Sequence, residues 1–147
     1  EDVETGYWYT LCQAHTVMSG DTTAIGQIAV QVSATQKGIC SNQATGALDA
    51  TYPSGLGVIT SVCPESTSTV TYYFWALSVG YTATILNDWT DVTVGYLLHL
   101  VAADPVTCKA IVGTTTSADW VIAGTFGRAT APTAGTTTAG YVNFRDI

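Results

Sequence analysis

The side chains best equipped for chemistry in this sequence are its cysteines and histidines, and they are few. The four cysteines are widely separated along the chain: Cys12, Cys40, Cys63 and Cys108. None belongs to a C-x-x-C pair, and His15 and His99 are isolated from them and from each other. Because zinc sites normally draw paired ligands from short spacings, this set does not predict a metal centre.

Cysteines this far apart in a charge-poor, threonine-rich chain favour two disulfides formed in an oxidising compartment. The sequence leaves three pairings open. We favour Cys40–Cys63 with Cys12–Cys108, because this pairing joins the early and late segments of the chain. The alternative is four free thiols buried in a cytosolic protein.

Catalysis by a serine or cysteine nucleophile needs a base, usually histidine, that a third group orients. Neither histidine lies in a recognisable nucleophile motif: His99 is inside the apolar run YLLHLV, and His15 is in QAHTVMSGD. Glycoside hydrolysis needs two carboxylates, and glutamate is scarce. The chain has no Gly-rich phosphate loop, and Met18 lacks the partners of a copper site. We therefore expect neither an enzyme nor a cofactor.

The turn NDWTD combines oxygen ligands with an aromatic ring. Asn87, Asp88 and Asp91 are a weak candidate for a Ca²⁺ site, because hard cations take oxygen ligands from loops but one short turn supplies few. Trp89, between the two aspartates, is a candidate for stacking on a sugar ring. Asn and Asp are also ordinary turn formers, which is the simpler interpretation.

Low charge is the strongest compositional signal. Charged residues make up 10% of the 147, against an ordinary level of about 25%, and eleven acidic against four basic residues give a net charge of -7. Such a chain lacks the positive surface that nucleic acids and anionic membranes attract. The longest apolar run, residues 96–103, is too short to cross a bilayer. No signal peptide is visible at the start, which fits a mature secreted protein.

Val, Thr, Tyr, Ile and Trp dominate the periodic segments, and turn residues recur about every eight to twelve positions, a pattern typical of all-β sandwiches and barrels. We expect one domain over residues 1–147: an antiparallel β-sandwich, Ig-like or jelly-roll-like, of about seven to nine strands with two disulfides and little helix. Residues 1–10 and 129–147 are candidates for extended arms.

Residues 25–34 show the clearest alternation, with Ile28, Val30 and Val32 on one face, which predicts a strand buried on one side only. Residues 69–78 and 81–86 are expected to form one long strand bent at Gly80, because a glycine within a strand often marks a bulge. Residues 38–51 are predicted to be a loop.

Four aromatic residues follow one another in the strand predicted at residues 69–78. Alternation places Tyr72 and Phe74 on one face and Tyr73 and Trp75 on the other. One pair is expected to fill the core, while the other needs a cover, from a loop of the same chain or from a neighbouring subunit. Charge depletion favours the neighbour, so Tyr73 and Trp75 are predicted to lie at a subunit contact.

These patterns favour a structural subunit that assembles with copies of itself into an extracellular filament or pilus, or into a shell on a virion surface. Assembly would use apolar contacts and strand addition, in which a terminal segment of one subunit extends a sheet of the next. The residues predicted to lie at the contact are Tyr7, Trp8, Tyr9, Leu11, Tyr73, Trp75, Tyr141 and Phe144. The Thr/Ala/Gly-rich body with its cysteines and the run PTAGTTTAGYVNF resemble pilin-type subunits in composition. The alternative is a secreted carbohydrate-binding β-sandwich module that binds glycans through Trp89.

Overall fold

The structure is a computed structural model and describes residues 6–18, 21–32, 38–42, 55–86, 91–92, 97–100, 110–113, 125–129, 133–134 and 137–144. For the short segments from 91 to 134 it describes the backbone. The strands in these segments are β1 (Trp8–Ala14), β2 (Ile28–Gln31), β3 (Ile39–Ser41), β4 (Gly55–Ile59), β5 (Tyr73–Leu86), β6 (Asp91–Val92), β7 (Leu97–Leu100), β8 (Ala110–Gly113), β9 (Thr125–Ala129), β10 (Thr133–Ala134) and β11 (Thr137–Asn143). The predicted all-β class with little helix is confirmed.

The first five strands close into a barrel. Around the barrel the order is β1, β3, β2, β4, β5 and back to β1, because β1 pairs with β3 on one edge and with β5 on the other. The β1–β3 pair is parallel, whereas the other four barrel pairs are antiparallel. Beyond the barrel the sheet continues from β5 through β11, β9 and β7 to β8.

The predicted antiparallel sandwich of seven to nine strands is wrong. Alternation of apolar and polar residues predicts strands, but it does not show whether a sheet closes on itself. Closure depends here on β3, which joins β1 to β2 and lies inside the segment predicted to be a loop. A strand of three residues is too short to give a periodic signal, so the joining strand was missed and the barrel with it.

Small side chains line the narrow interior of the barrel. The buried interior cluster consists of Cys12, Ala14, Met18, Ala29, Cys40, Ile59, Cys63, Phe74 and Ala76. Phe74 is its one aromatic ring. Strands β4 and β5 also approach closely, since a Cβ at Gly57 would lie 2.7 Å from the carbonyl oxygen of Leu77. Small residues therefore allow five strands to close at a small radius.

A second set of buried side chains alternates with the first and faces away from the barrel interior: Ile28, Val30, Val58 and Leu77. The second half of β5 and the end of β11 cover this outer surface. The Phe144 ring and Ile28 both lie against Gly55, and the Leu86 N–H donates to the Gly26 carbonyl (2.8 Å). Strand β2 is thus buried on both faces, and the prediction that it would be buried on one side only is wrong.

Strand β5 reaches both layers because it bends. It runs without a break from Tyr73 to Leu86, and Gly80 in its middle has a φ of 138°. L-amino acids with side chains rarely adopt this backbone conformation. The prediction of one long strand through Gly80 is confirmed, although the strand begins at Tyr73 and not at residue 69. The first half of β5 belongs to the barrel, and the second half pairs with β11.

The two predicted disulfides are not seen in the part of the chain that the structure describes. Cys12, Cys40 and Cys63 are free, buried thiols, and Cys108 lies outside the described residues. The favoured Cys40–Cys63 pairing is wrong, because both thiols are free, the Cys63 thiol donates to the Tyr73 carbonyl (3.5 Å) and the Cys40 thiol donates to the Gly38 carbonyl (3.5 Å). Spacing along the chain does not show which cysteines a closed barrel brings together.

Candidate interaction surface

The outer face of the β1–β5 pair carries large apolar side chains exposed to solvent. Leu11 and Trp75 are cross-strand partners, and 51% and 52% of their surfaces are exposed. Tyr73, two residues before Trp75, is 57% exposed, and Tyr9, two residues before Leu11, is also exposed. We call Tyr9, Leu11, Tyr73 and Trp75 the aromatic face.

Strand alternation explains this exposure. Cys12, Phe74 and Ala76 point into the barrel, so the residues between them must point outward. The second half of β5 and the end of β11 cover the outer surface of β2 and β4, but they leave Tyr73 and Trp75 largely open. The predicted division of the four aromatic residues is seen for three of them: Phe74 is buried, while Tyr73 and Trp75 are exposed on the opposite face. Tyr72, predicted to share the core with Phe74, is exposed just before β5 begins, so that part of the prediction is wrong.

Charge is missing from the strands that carry this face. Strands β1 and β5 contain no Asp, Glu, Lys or Arg, and neither does β11, which pairs with β5. Soluble proteins commonly protect exposed strands with charged side chains, lysine above all. Gln13, the cross-strand partner of Tyr73, supplies polarity to this part of the surface. The aromatic face is apolar and uncharged, a combination that marks sites of contact with other molecules.

A second aromatic contact lies on the β5–β11 pair. Tyr81 and Tyr141 are cross-strand partners, and their ring centroids are 5.4 Å apart at an interplanar angle of 62°. This edge-to-face arrangement is favourable for aromatic rings. Both rings remain exposed. Tyr141 was predicted to be a contact residue, whereas Tyr81 was missed because only the register of β5 with β11 brings the two together.

A groove of about 340 Å³ opens at one end of the barrel. Its lining residues are Trp8, Tyr9, Thr10, Leu56, Ser78 and Phe144. Two register slips shape it: the β1–β5 pairing skips Ser78, and the β2–β4 pairing skips Leu56. The Ser78 hydroxyl joins these bulges by donating its one proton to the Leu56 carbonyl (2.7 Å). In its hydrogen bond with the Thr10 hydroxyl (2.5 Å), Ser78 is therefore the acceptor and Thr10 the donor.

Half of the eight predicted contact residues lie together on the aromatic face. The other four lie elsewhere: Tyr7 against Gly80, Trp8 and Phe144 in the barrel-end groove, and Tyr141 beside Tyr81. Sequence reasoning missed Thr10 and Ser78 as groove residues. No sequence signal marks them, because the position of Ser78 depends on a bulge.

Of the four residues predicted to bind calcium or a sugar, three lie outside the residues that the structure describes. Asn87, Asp88 and Trp89 lie outside the described residues, and Asp91 begins β6. Among the described residues, no three His, Cys, Asp or Glu side chains are grouped to hold a metal ion. The same part of the chain contains no helix with the length and apolar character needed to span a membrane.

Two of the thiols inside the barrel, Cys40 and Cys63, favour their neutral form. A hydrogen bond with Cys12, together with burial, raises the pKa of the Cys40 thiol, and burial raises the pKa of Cys63. The thiolate is the reactive form of cysteine, so a thiol that stays protonated is a poor nucleophile. The arrangement does not favour catalysis by these residues.

No protein-family model matches the chain, and no curated protein matches it. Its function is therefore inferred from its own surfaces. Those surfaces are the aromatic face, the Tyr81–Tyr141 contact and the barrel-end groove.

Proposed function

We propose that this chain is a structural subunit of an extracellular homopolymer, either a filament or pilus or a shell on a virion surface. Its subunits associate through the aromatic face. The observation that supports this most directly is the Leu11–Trp75 pair: both side chains are about half exposed, lie beside Tyr73, and belong to strands without charge. Apolar surface of this kind is stabilised when a partner removes it from water.

Burial of the aromatic face would supply the driving force. Each of its large side chains has on the order of 100 Å² left to cover, which contributes about 2–3 kcal/mol at the usual value per unit area. Four such side chains on each subunit are enough to offset the roughly 4–15 kcal/mol that association costs in lost freedom of motion. The free energy gained by burying this face can therefore exceed the cost of association when the face contacts the same or another apolar surface of a second copy.

Strand addition is the second element of the proposal, and the topology directs it to β8. Strand β1 pairs with β5 along most of its length and with β3 at Gln13 and Ala14, and β11 pairs with β5 and β9, so releasing either one as a donor arm would break these pairings. Among the described strands, β8 ends the nine-stranded sheet. Its sequence, AIVG, contains no charge or proline to block an added strand. We assign the acceptor edge to β8.

Electron microscopy and light scattering of the purified full chain test this function. Ordered filaments or shells, with particle mass that rises with protein concentration, are expected. A clean monomer at high concentration in both measurements would contradict the proposal. Deletion of residues 1–10 is not a useful test, because it removes part of β1 and so disrupts the barrel itself.

One observation favours a second function, carbohydrate binding. The barrel-end groove lies within the lower part of the usual volume range of ligand sites and combines the Trp8 ring with the Thr10 hydroxyl. An aromatic ring for stacking and a hydroxyl for hydrogen bonding are what a sugar requires. Binding on a glycan array that is lost in Trp8→Ala but kept in Trp75→Ala would support this function, and absence of binding would exclude it.

A further inference from the structure

Two exposed tyrosine rings face each other across the β5–β11 pair. Tyr81 and Tyr141 are direct cross-strand partners, and their ring centroids are 5.4 Å apart. An oxidant in solution can reach both rings, since 37% and 61% of their surfaces are exposed. We propose that these two tyrosines are a modification site, at which one-electron oxidation by a haem peroxidase joins them through a carbon–carbon bond as dityrosine.

The geometry of the pair suits this coupling. The two rings are inclined at 62°, so small rotations about their side-chain bonds can bring the ring carbons beside the hydroxyl groups together. Exposed side chains make such rotations within picoseconds to nanoseconds. The backbone register meanwhile keeps both rings on one face of the sheet. The two rings are thus held at a high effective concentration, which favours coupling within one chain over coupling between chains.

Other exposed tyrosines on β1 and β5 lack this arrangement. Tyr9 is opposite Leu77 and Tyr73 is opposite Gln13, so neither has a tyrosine as its cross-strand partner. The methionine and the three cysteines of the interior cluster are buried. Because susceptibility to oxidation follows exposure, a peroxidase reaches the tyrosine pair before it reaches these sulfur atoms.

The reaction balances with hydrogen peroxide as the oxidant. Each phenol gives one electron and one proton to the peroxidase, whose haem performs the one-electron steps, and becomes a phenoxyl radical. The two radicals pair their electrons in one new bond between ring carbons ortho to the hydroxyl groups. The hydrogen on each of these carbons then moves as a proton to the phenol oxygen, which restores both aromatic rings. Two hydrogen atoms leave the protein, and one hydrogen peroxide molecule takes them up as it becomes two water molecules.

A bond at this position would tie the outer part of the sheet to the barrel. Among the described strands, β9, β7 and β8 continue from β5 through β11. The pairing of β11 with β5 is interrupted by a register shift between Thr138 and Gly140, directly before Tyr141. The bond would therefore fix β11 on β5 beside the irregular part of their pairing. This effect belongs to the single subunit and does not depend on assembly.

The test is to treat the dilute full chain with a haem peroxidase and hydrogen peroxide and to stop the reaction with catalase. Monomer is separated from linked dimers on a denaturing gel, then reduced, alkylated and digested. Trypsin cuts after Lys109 and Arg128, and Tyr141 is the one tyrosine of residues 129–145. In oxidised monomer this peptide should be joined to residues 38–109, with dityrosine fluorescence and a mass two hydrogen atoms below that of the separate peptides.

Conservative variants locate the bond. Tyr81→Phe and Tyr141→Phe keep a ring at each position but lack the phenol, so each should abolish the monomer cross-link. Tyr73→Phe is the matched control, because Tyr73 is also exposed on β5 but is opposite Gln13, and it should keep the cross-link. Fragment spectra of the wild-type peptide pair should place the link at Tyr81, even where a variant folds poorly.

N-acetyltyrosine, coupled in a parallel reaction, shows that the oxidant is active. Three results would each overturn the proposal under those conditions. They are the absence of dityrosine from the chain, a monomer link that persists in Tyr81→Phe, and links that form only between chains.

Discussion

The ring of Tyr7 lies directly against Gly80, at the point where β5 leaves the barrel. A Cβ on residue 80 would be 2.7 Å from Tyr7 Cδ1, and the φ of 138° at Gly80 is a conformation that side chains disfavour. This contact holds the start of the described chain against the bend in β5. That bend lets the second half of β5 cover the outer surface of β2 and β4, while the aromatic face remains open.

Gly80→Ala is expected to lower the free energy of unfolding by about 2–4 kcal/mol, because it combines backbone strain with a clash against Tyr7. Urea unfolding followed by fluorescence measures this change. The matched control is Gly6→Ala, since Gly6 also has a positive φ (69°) but no atom within 4 Å of an added Cβ. It should cost only about 1 kcal/mol. Equal losses in the two variants would show that the contact with Tyr7 contributes nothing.

Trp75→Lys is expected to prevent assembly without unfolding the subunit. The side chain is half exposed, so the charge remains in water in the monomer, whereas in an apolar contact it would be buried without a partner. Electron microscopy should show no filaments or shells, and the melting temperature should change little. Val62→Lys is the control, because Val62 is an exposed apolar residue outside the aromatic face. Normal assembly of Trp75→Lys would exclude this face as the contact.

Asn42→Asp is expected to destabilise the fold by about 3 kcal/mol or more. Asn42 is fully buried, and its side-chain amide donates to Gln27 Oε1 (2.7 Å) and to the Thr22 carbonyl (2.9 Å). An aspartate of the same shape would place acceptor against acceptor in a buried site. Thermal unfolding measures the loss. Asn42→Asp unfolding at the wild-type temperature would contradict the importance of these bonds.

Much of the local structure could be predicted from the sequence, because it depends on residues close together in the chain. The alternation that exposes Tyr73 and Trp75 while burying Phe74 is of this kind, and so is the bend at Gly80. The closed barrel could not be predicted, because it depends on β3 pairing with strands distant in sequence. The groove depends on bulges at Leu56 and Ser78, which no local pattern marks.

For the cysteines, too, the sequence shows their spacing but not which of them the fold brings close together. Their number and wide spacing predict no zinc-type cluster. The neighbour of each one depends on how the barrel closes. Cys12 and Cys40 are 28 positions apart but lie on adjacent strands because β3 pairs with β1. The candidate contact surface was partly predictable because it depends on local alternation, since Tyr9, Leu11, Tyr73 and Trp75 belong to just two strands.

Alkaline pH is expected to destabilise the reduced protein through Cys40. Contact with Cys12 and burial raise the pKa of this thiol in the folded state above its ordinary value of 9.0. The unfolded chain therefore loses this proton first, and folding stability falls as pH rises above about 9, by up to about 1.4 kcal/mol per pH unit for one thiol. Below that pH the stability contribution is fully present.

Urea unfolding midpoints between about pH 7 and pH 10 measure this loss. Cys40→Ala provides the baseline without this thiol, so its midpoints should fall less steeply above pH 9 than those of the reduced wild type. Parallel curves for the reduced wild type and Cys40→Ala would show that the buried Cys12–Cys40 contact does not hold the proton on Cys40.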